Sequence, residues 1–122
     1  MTLAVAFSDI EAAQRIIRGK VLRTPIIPAP RLSERTGAEV FVKYENMQAT
    51  ASFKDRGALV KLMSLSPEAR AKGVVAMSAG NHAQAVAFHS RRLAIPATIV
   101  MPVATPFVKV GNTERLGAKV VL

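Results

Sequence analysis

Apolar residues recur at helical spacing early in the chain, at Ile10, Ala13 and Ile17, with Arg15 and Arg18 between them. Ser8-Asp9-Ile10-Glu11 has the form of a capping box for that helix, and Gly19 is its expected stop. Residues 21–30 hold Pro25, Pro28 and Pro30, so an extended connection is predicted there. Leu32 to Arg35 reads as a short helix ending at Thr36-Gly37. From Glu39 to Tyr44, Val40, Val42 and Tyr44 alternate with Phe41 and Lys43, the pattern of a strand.

The pattern then changes. Ala58, Leu59, Leu62 and Leu65 form one apolar stripe of a helix over Asp55 to Leu65. Ser66 caps a further helix with Pro67 in its first turn, and Gly73 ends it. A strand follows over Val74 to Met77, then a helix from His82 to Leu93 and a strand from Ala97 to Met101. Thr105-Pro106 caps and opens a helix to Leu116, Gly117 stops it, and a strand runs from Lys119 to Leu122. Strand, helix, strand, helix, strand with short turns predicts an α/β fold: an open parallel sheet with flanking helices. The chain stops within a short strand, which reads as part of a larger unit.

Composition narrows the class. The 122 residues are 50% hydrophobic and 20% charged, as in globular domains, and no apolar run approaches the roughly 18 residues of a membrane span. Met1 to Phe7 lacks the basic start and cleavage site of a signal peptide. The absence of cysteine excludes disulfides and thiolate catalysis and is compatible with a cytoplasmic protein. A net charge of +9 raises nucleic-acid binding, but Lys and Arg are scattered, only Arg91-Arg92 are adjacent, and aromatic residues do not interleave with them. No nucleic acid and no membrane are therefore expected as partners.

Two stretches carry candidate chemistry. Lys54, in Ala51-Ser52-Phe53-Lys54-Asp55-Arg56-Gly57-Ala58, falls between a strand and a helix. It is expected at the end of that strand, where open α/β sheets build ligand sites. A lysine can form Schiff bases with carbonyl compounds, yet on spacing alone a solvated surface lysine is the commoner case. Ser78-Ala79-Gly80-Asn81-His82 lies where a strand turns into a helix, and free amides at a helix N-terminus attract anions. Read alone, that turn leaves two options equally open: an anion site, or Ser78 or Asn81 simply capping the helix. Phe53 reads as a core residue, and His89 as structural. No cluster has metal-ligand spacing, and no glycine-rich run could cradle a phosphate.

The stretch Ser52-Phe53-Lys54-Asp55-Arg56-Gly57-Ala58 resembles the lysine motif of fold-type II pyridoxal phosphate enzymes, in particular the serine/threonine dehydratases and serine racemases. Ser78-Ala79-Gly80-Asn81-His82-Ala83-Gln84, 24 to 30 residues beyond Lys54, is similar to the second motif of that family. The likeness runs from about Ile10 to Leu122 and includes Thr24-Pro25 and Glu45-Asn46. It implies pyridoxal 5'-phosphate as cofactor, bound as an imine by Lys54, with Phe53 beside the cofactor ring and Asn81 on the ring hydroxyl. It implies further that Ser78, Ala79, Gly80, Asn81 and His82 take the substrate carboxylate, and that Lys54 rather than His82 transfers the proton. The implied activity is deaminating dehydration of L-threonine or L-serine, in a cytoplasmic homo-oligomer, with isoleucine biosynthesis as a setting.

Racemases of this family carry a serine where this chain has Ala79, which favours a dehydratase. A racemase, a hydroxyaspartate dehydratase, a β-replacement synthase and a non-catalytic fragment are the alternatives. The implied domains are 1–50, the start of a large cofactor domain, and 51–122, most of a smaller parallel-sheet domain. The family's phosphate-binding glycine loop and the partner of its pyridine nitrogen are then expected outside this chain.

Overall fold

The computed structural model describes residues 5–122. Met1 to Ala4, most of the opening read above against a signal peptide, lie outside the described residues. Helix α1 spans Phe7–Ile17 and begins earlier than the capping box at Ser8 would have it. Its cap is Ala6, which has no side-chain oxygen, so only the return arm of a box forms: the Asp9 carboxylate accepts from the Ala6 amide at 2.8 Å. Asp9 closes on Ala6 and draws Ser8 and Glu11 into the helix.

The proline segment is extended but is more than a connection. Ile26–Pro28 forms β1, antiparallel to β2, Phe41–Lys43, with Ile26 opposite Lys43 and Pro28 opposite Phe41. A two-stranded ribbon has only edges, so the missing N–H of Pro28 is tolerated. Between them lies α2, Pro30–Thr36, which starts on a proline and ends at Gly37. Strand β2 is shorter than the alternation predicts, because Glu45–Met47 turns into a single 3-10 turn.

The remaining elements follow the predicted rhythm. They are α3 (Lys54–Met63), α4 (Pro67–Lys72), β3 (Val74–Met77), α5 (Asn81–Arg92), β4 (Ala97–Val100), α6 (Phe107–Arg115) and β5 (Lys119–Val121). The Ser66 hydroxyl caps α4, accepting from the Ala69 amide at 3.2 Å. Strands β3, β4 and β5 form one parallel sheet in that order, Val74 beside Ala97 and Thr98 beside Lys119. The expected α/β fold, a parallel sheet with flanking helices, is therefore present.

Thr105 does not cap α6. The cap position is Pro106, and Thr105 sits one residue too early, its amide tied to the Pro102 carbonyl at 2.9 Å. The Thr105 hydroxyl is left buried without a partner.

The core joins Ala83, Ala85, Val86 and Ala87 of α5 to Ala97, Ile99 and Met101 on or beside β4 and to Ala58 of α3. Alanine faces let α3, α5 and the sheet approach closely, burying apolar surface at roughly 25 cal/mol per Å². No helix among the described residues is long and apolar enough to cross a membrane.

Gly73 is where the chain enters the sheet. Its φ is +84°, and a Cβ there would lie 2.6 Å from the Pro96 carbonyl oxygen. That same oxygen accepts from the Val74 amide at 2.8 Å, so it cannot move aside without breaking the start of β3. Gly73→Ala is expected to lower stability by more than about 2 kcal/mol, read as a shift in the denaturant midpoint. An unchanged midpoint would show that the entry to β3 is not tightly packed.

Candidate active site

Lys54 is the first residue of α3. It does not follow directly on a strand end, as the sequence pattern suggests. Strand β2 belongs to the antiparallel ribbon, and a 3-10 turn and a loop separate it from Lys54. The loop is tightly wound. The Ala51 amide donates to the Gln48 carbonyl at 2.9 Å, and Ala51 takes a φ of +55°, unusual for a residue with a Cβ. The Ser52 hydroxyl then accepts from the Lys54 amide at 3.3 Å. Phe53 is 60% exposed, so it is not a core residue. Its ring lies under the lysine, with Nζ 4.8 Å from the ring centre.

The second motif turns from β3 into α5. Gly80 caps the helix, and Asn81 and His82 are its first two residues, both exposed. The Ser78 hydroxyl accepts from the Gly80 amide at 3.2 Å, a local turn. No side chain caps α5, so neither Ser78 nor Asn81 plays that part. The first-turn amides of Asn81, His82 and Ala83 have no acceptor within the helix, which leaves a partial positive charge at this end. Open space surrounds Gly80, where an added Cβ would meet nothing within 4 Å.

A cavity of about 370 Å³ joins the two motifs. Phe53, Lys54 and Gly57 line it from α3 and its approach, Val75 and Ala76 from β3, and His82 and Val86 from α5. Lys54, Phe53 and His82 thus meet at one space. Ser78, Ala79, Gly80 and Asn81 stand in the adjoining turn and do not line it. Among the described residues no group of His, Cys, Asp or Glu could hold a metal ion.

Two polar clusters brace the lysine helix, and their roles are hard to see in sequence. In the first, Arg56 grips Glu45 with Nε and Nη2, each at 2.8 Å. Thr24 donates its hydroxyl to the same carboxylate, Gln48 donates at 3.3 Å, and Lys43 lies 3.7 Å away. Gln48 also pairs both ways with the backbone of Leu22. Three elements far apart in sequence are tied together by one carboxylate. The Arg56 hydrogen bonds, set against burial and helped by Thr24 and Gln48, hold Glu45 down from 4.5 to about 2.

In the second cluster, the buried Asp55 carboxylate accepts from the Thr50 amide at 3.0 Å and from the Thr50 hydroxyl at 2.9 Å. His89, in the middle of α5, places Nε2 3.2 Å from Asp55 Oδ1, off the line of a hydrogen bond. Burial lowers the His89 pKa, and the nearby Asp55 opposes this without reversing it. His89 is fully inside the fold, consistent with a structural part. An acidic residue directly after the lysine was the one signal in the sequence that could have pointed to Asp55.

The Glu45 shift has a sign. A carboxylate depressed on folding stabilises above its unfolded value of 4.5 and loses that contribution as pH falls toward 2. Glu45→Gln is expected to cost on the order of 2 kcal/mol at neutral pH, after discounting for partial solvent access. It should also flatten the acid side of the stability profile between those two values. Thermal midpoints of both proteins from pH 2 to 7 measure this, and parallel profiles would refute the assignment.

Residues 17–122 match the family described as pyridoxal-phosphate dependent enzyme. The L-threonine ammonia-lyase of Thermotoga maritima is 50% identical over 118 residues, which make up 97% of this chain and 29% of that enzyme. Maize serine racemase superposes with a TM-score of 0.90 at 37% identity, over 98% of this chain and 36% of that one. The processed form of threonine deaminase isoform 2 from Solanum lycopersicum gives 0.82 at 36% identity, over 100% of this chain and 35% of that one. The chain spans about a third of the length of the curated relatives it matches. With a lysine motif, an open helix N-terminus and a cavity between them, the chain belongs to the pyridoxal-phosphate dependent enzyme family.

Proposed function

We propose that the protein containing this chain dehydrates and deaminates L-threonine or L-serine to a 2-oxo acid and ammonia, with pyridoxal 5'-phosphate as cofactor. The observation that carries this reading is the shared cavity. A primary amine over an aromatic face opens onto the same space as the N-terminal turn of α5. Those residues fit the cofactor: an amine to anchor its aldehyde, a flat ring beside it, and room between. When bound, the cofactor supplies an electron sink for the charge left on the substrate's α-carbon.

This chain's own residues supply the amine and the carboxylate turn. Lys54 Nζ is the covalent anchor and, as a free amine, the base that takes the α-proton. Phe53 shields that amine from water on one side. The amides from Ser78 to His82, with Ala79 and Gly80 between them, orient the substrate carboxylate through the helix N-terminus. Asn81 is assigned the hydrogen bond to the cofactor's ring hydroxyl. His82 belongs to the carboxylate turn and is not the base. On this reading residues 1–50 begin the large domain and 51–122 make most of the smaller one. We extend it to a cytoplasmic homo-oligomer, with isoleucine biosynthesis as one setting for the product.

The likeness to a serine racemase supports a second reading on the same scaffold. Racemisation needs a proton donor on the face opposite the lysine. Ala79 packs against the core and offers only a methyl group, which favours dehydration. Hydroxyaspartate is a further possible substrate.

In the full-length protein, pyridoxal phosphate and borohydride should leave a reduced adduct that peptide mapping assigns to Lys54. Lys54→Ala should abolish the imine absorbance and lower 2-oxo acid formation by at least about 10³-fold, the scale of a lost acid-base group with its covalent anchor. Retention of both would overturn the assignment. Product analysis with threonine, serine and hydroxyaspartate separates the substrates, and formation of D-serine without 2-oxo acid would favour the racemase reading.

A further inference from the structure

The residue beside the lysine is buried, charged and unused by the mechanism above. Asp55 is 1% exposed. Burying a carboxylate is costly unless its oxygens are well bonded, and an apolar residue of similar volume is often as stable. Asp55 meets only Thr50, through the amide on Oδ2 and the hydroxyl on Oδ1, and His89 beside Oδ1. No basic side chain forms an ion pair with it other than His89 among the described residues.

The position of these contacts explains the arrangement better than stability does. The bonds from Thr50 to Asp55 close a ring around Ala51, Ser52, Phe53 and Lys54. Inside that ring Ala51 is held at φ +55°, a left-handed backbone that is unfavourable for an alanine. A loop held in an unfavourable shape needs a fastener, and among the described residues the Asp55 side chain bonds across its full length, back to Thr50. The same carboxylate abuts His89, and His89 belongs to the helix whose first turn carries the second motif.

We propose that Asp55 is a positioning residue for Lys54. Its carboxylate fastens the lysine loop through Thr50 and, through His89, sets that loop against α5, so that the amine and the carboxylate-binding turn keep one register. This rests on the assignment of Lys54 as the cofactor anchor. Asp55 itself touches no reacting atom. Thr50 is its partner, and His89 passes the constraint to the second helix.

The test uses the full-length protein with pyridoxal phosphate as probe, comparing wild type with Asp55→Ala, Asp55→Asn and Thr50→Val. An asparagine can keep both links to Thr50, its oxygen accepting from the amide and its NH₂ donating to the hydroxyl. Asp55→Ala should weaken cofactor affinity and slow adduct formation on Lys54 by about tenfold or more, while Asp55→Asn restores both to within about threefold. Thr50→Val, which loses one link, should fall between them. Amide hydrogen exchange on the cofactor-free protein reads the fastener without the chemistry. Asp55→Ala should speed exchange over residues 50–56 and in the first turn of α5, with little change in the sheet. Equal affinity and adduct rates in wild type and Asp55→Ala would overturn the proposal, as would exchange unchanged in both regions. If Asp55→Ala does not fold, Thr50→Val and Asp55→Asn decide it, and a Thr50→Val protein indistinguishable from wild type sinks it. Failure of wild type to form the Lys54 adduct would sink the functional reading instead, and the exchange data would still judge the fastener.

Discussion

Helix α3 lies against α5, and the rest of the site depends on that contact. One helix begins at Lys54 and the other at Asn81, and both first turns reach a single cavity. Small residues make up much of the core around it: Ala58 of α3 and Ala83, Ala85 and Ala87 of α5 are all buried. Bulkier residues there would shift α3 relative to α5, and with it Lys54 relative to the first turn of α5. Proton transfer requires reacting groups within hydrogen-bond reach, so the packing distance of two helices becomes a chemical parameter.

The polar clusters refine what the apolar contact starts. Glu45 ties α3 to the ribbon through Arg56, and to the chain before the ribbon through Thr24. Asp55 ties α3 to its own approach loop and to α5. The bonds to Arg56, Thr24 and Thr50 are directional, in a region where apolar packing alone would allow sliding, and the His89 contact is a close polar one. They hold the lysine helix on both sides, while the amine itself stays exposed and free to react. The first turn of α5 is likewise left without a side-chain cap, as the proposed carboxylate site would need.

On the proposed function, the choice between dehydration and racemisation would turn on Ala79. The scaffold is shared, as the similarity to both threonine deaminase and serine racemase indicates. A shared scaffold does not decide chemistry, which depends on the groups that face the substrate. Ala79 offers only a methyl group, and the proposed preference for dehydration rests on that rather than on the fold-level likeness.

The sequence by itself determined the elements from β3 to β5, with their parallel rhythm and both motifs. Those elements are set by local periodicity, glycine stops and short turns, all of which act over a few residues. Even there the capping details were not legible. Ser8 and Thr105 are good caps by residue type, but Asp9 and the turn at Pro102 compete for the same backbone and win. Nor was the setting of Lys54 legible, because the strand before it belongs to a separate ribbon. Only the tertiary structure decided that Phe53 lies out beneath the lysine, that Arg56 and Thr24 share Glu45, and that Asp55 meets His89. The contacts of Glu45 with Thr24 and Arg56, and of Asp55 with His89, join residues 11 to 34 positions apart, and no local pattern marks them. They exist because two helices and a loop are brought together by burial, after which each buried charge must find the partner that geometry leaves it.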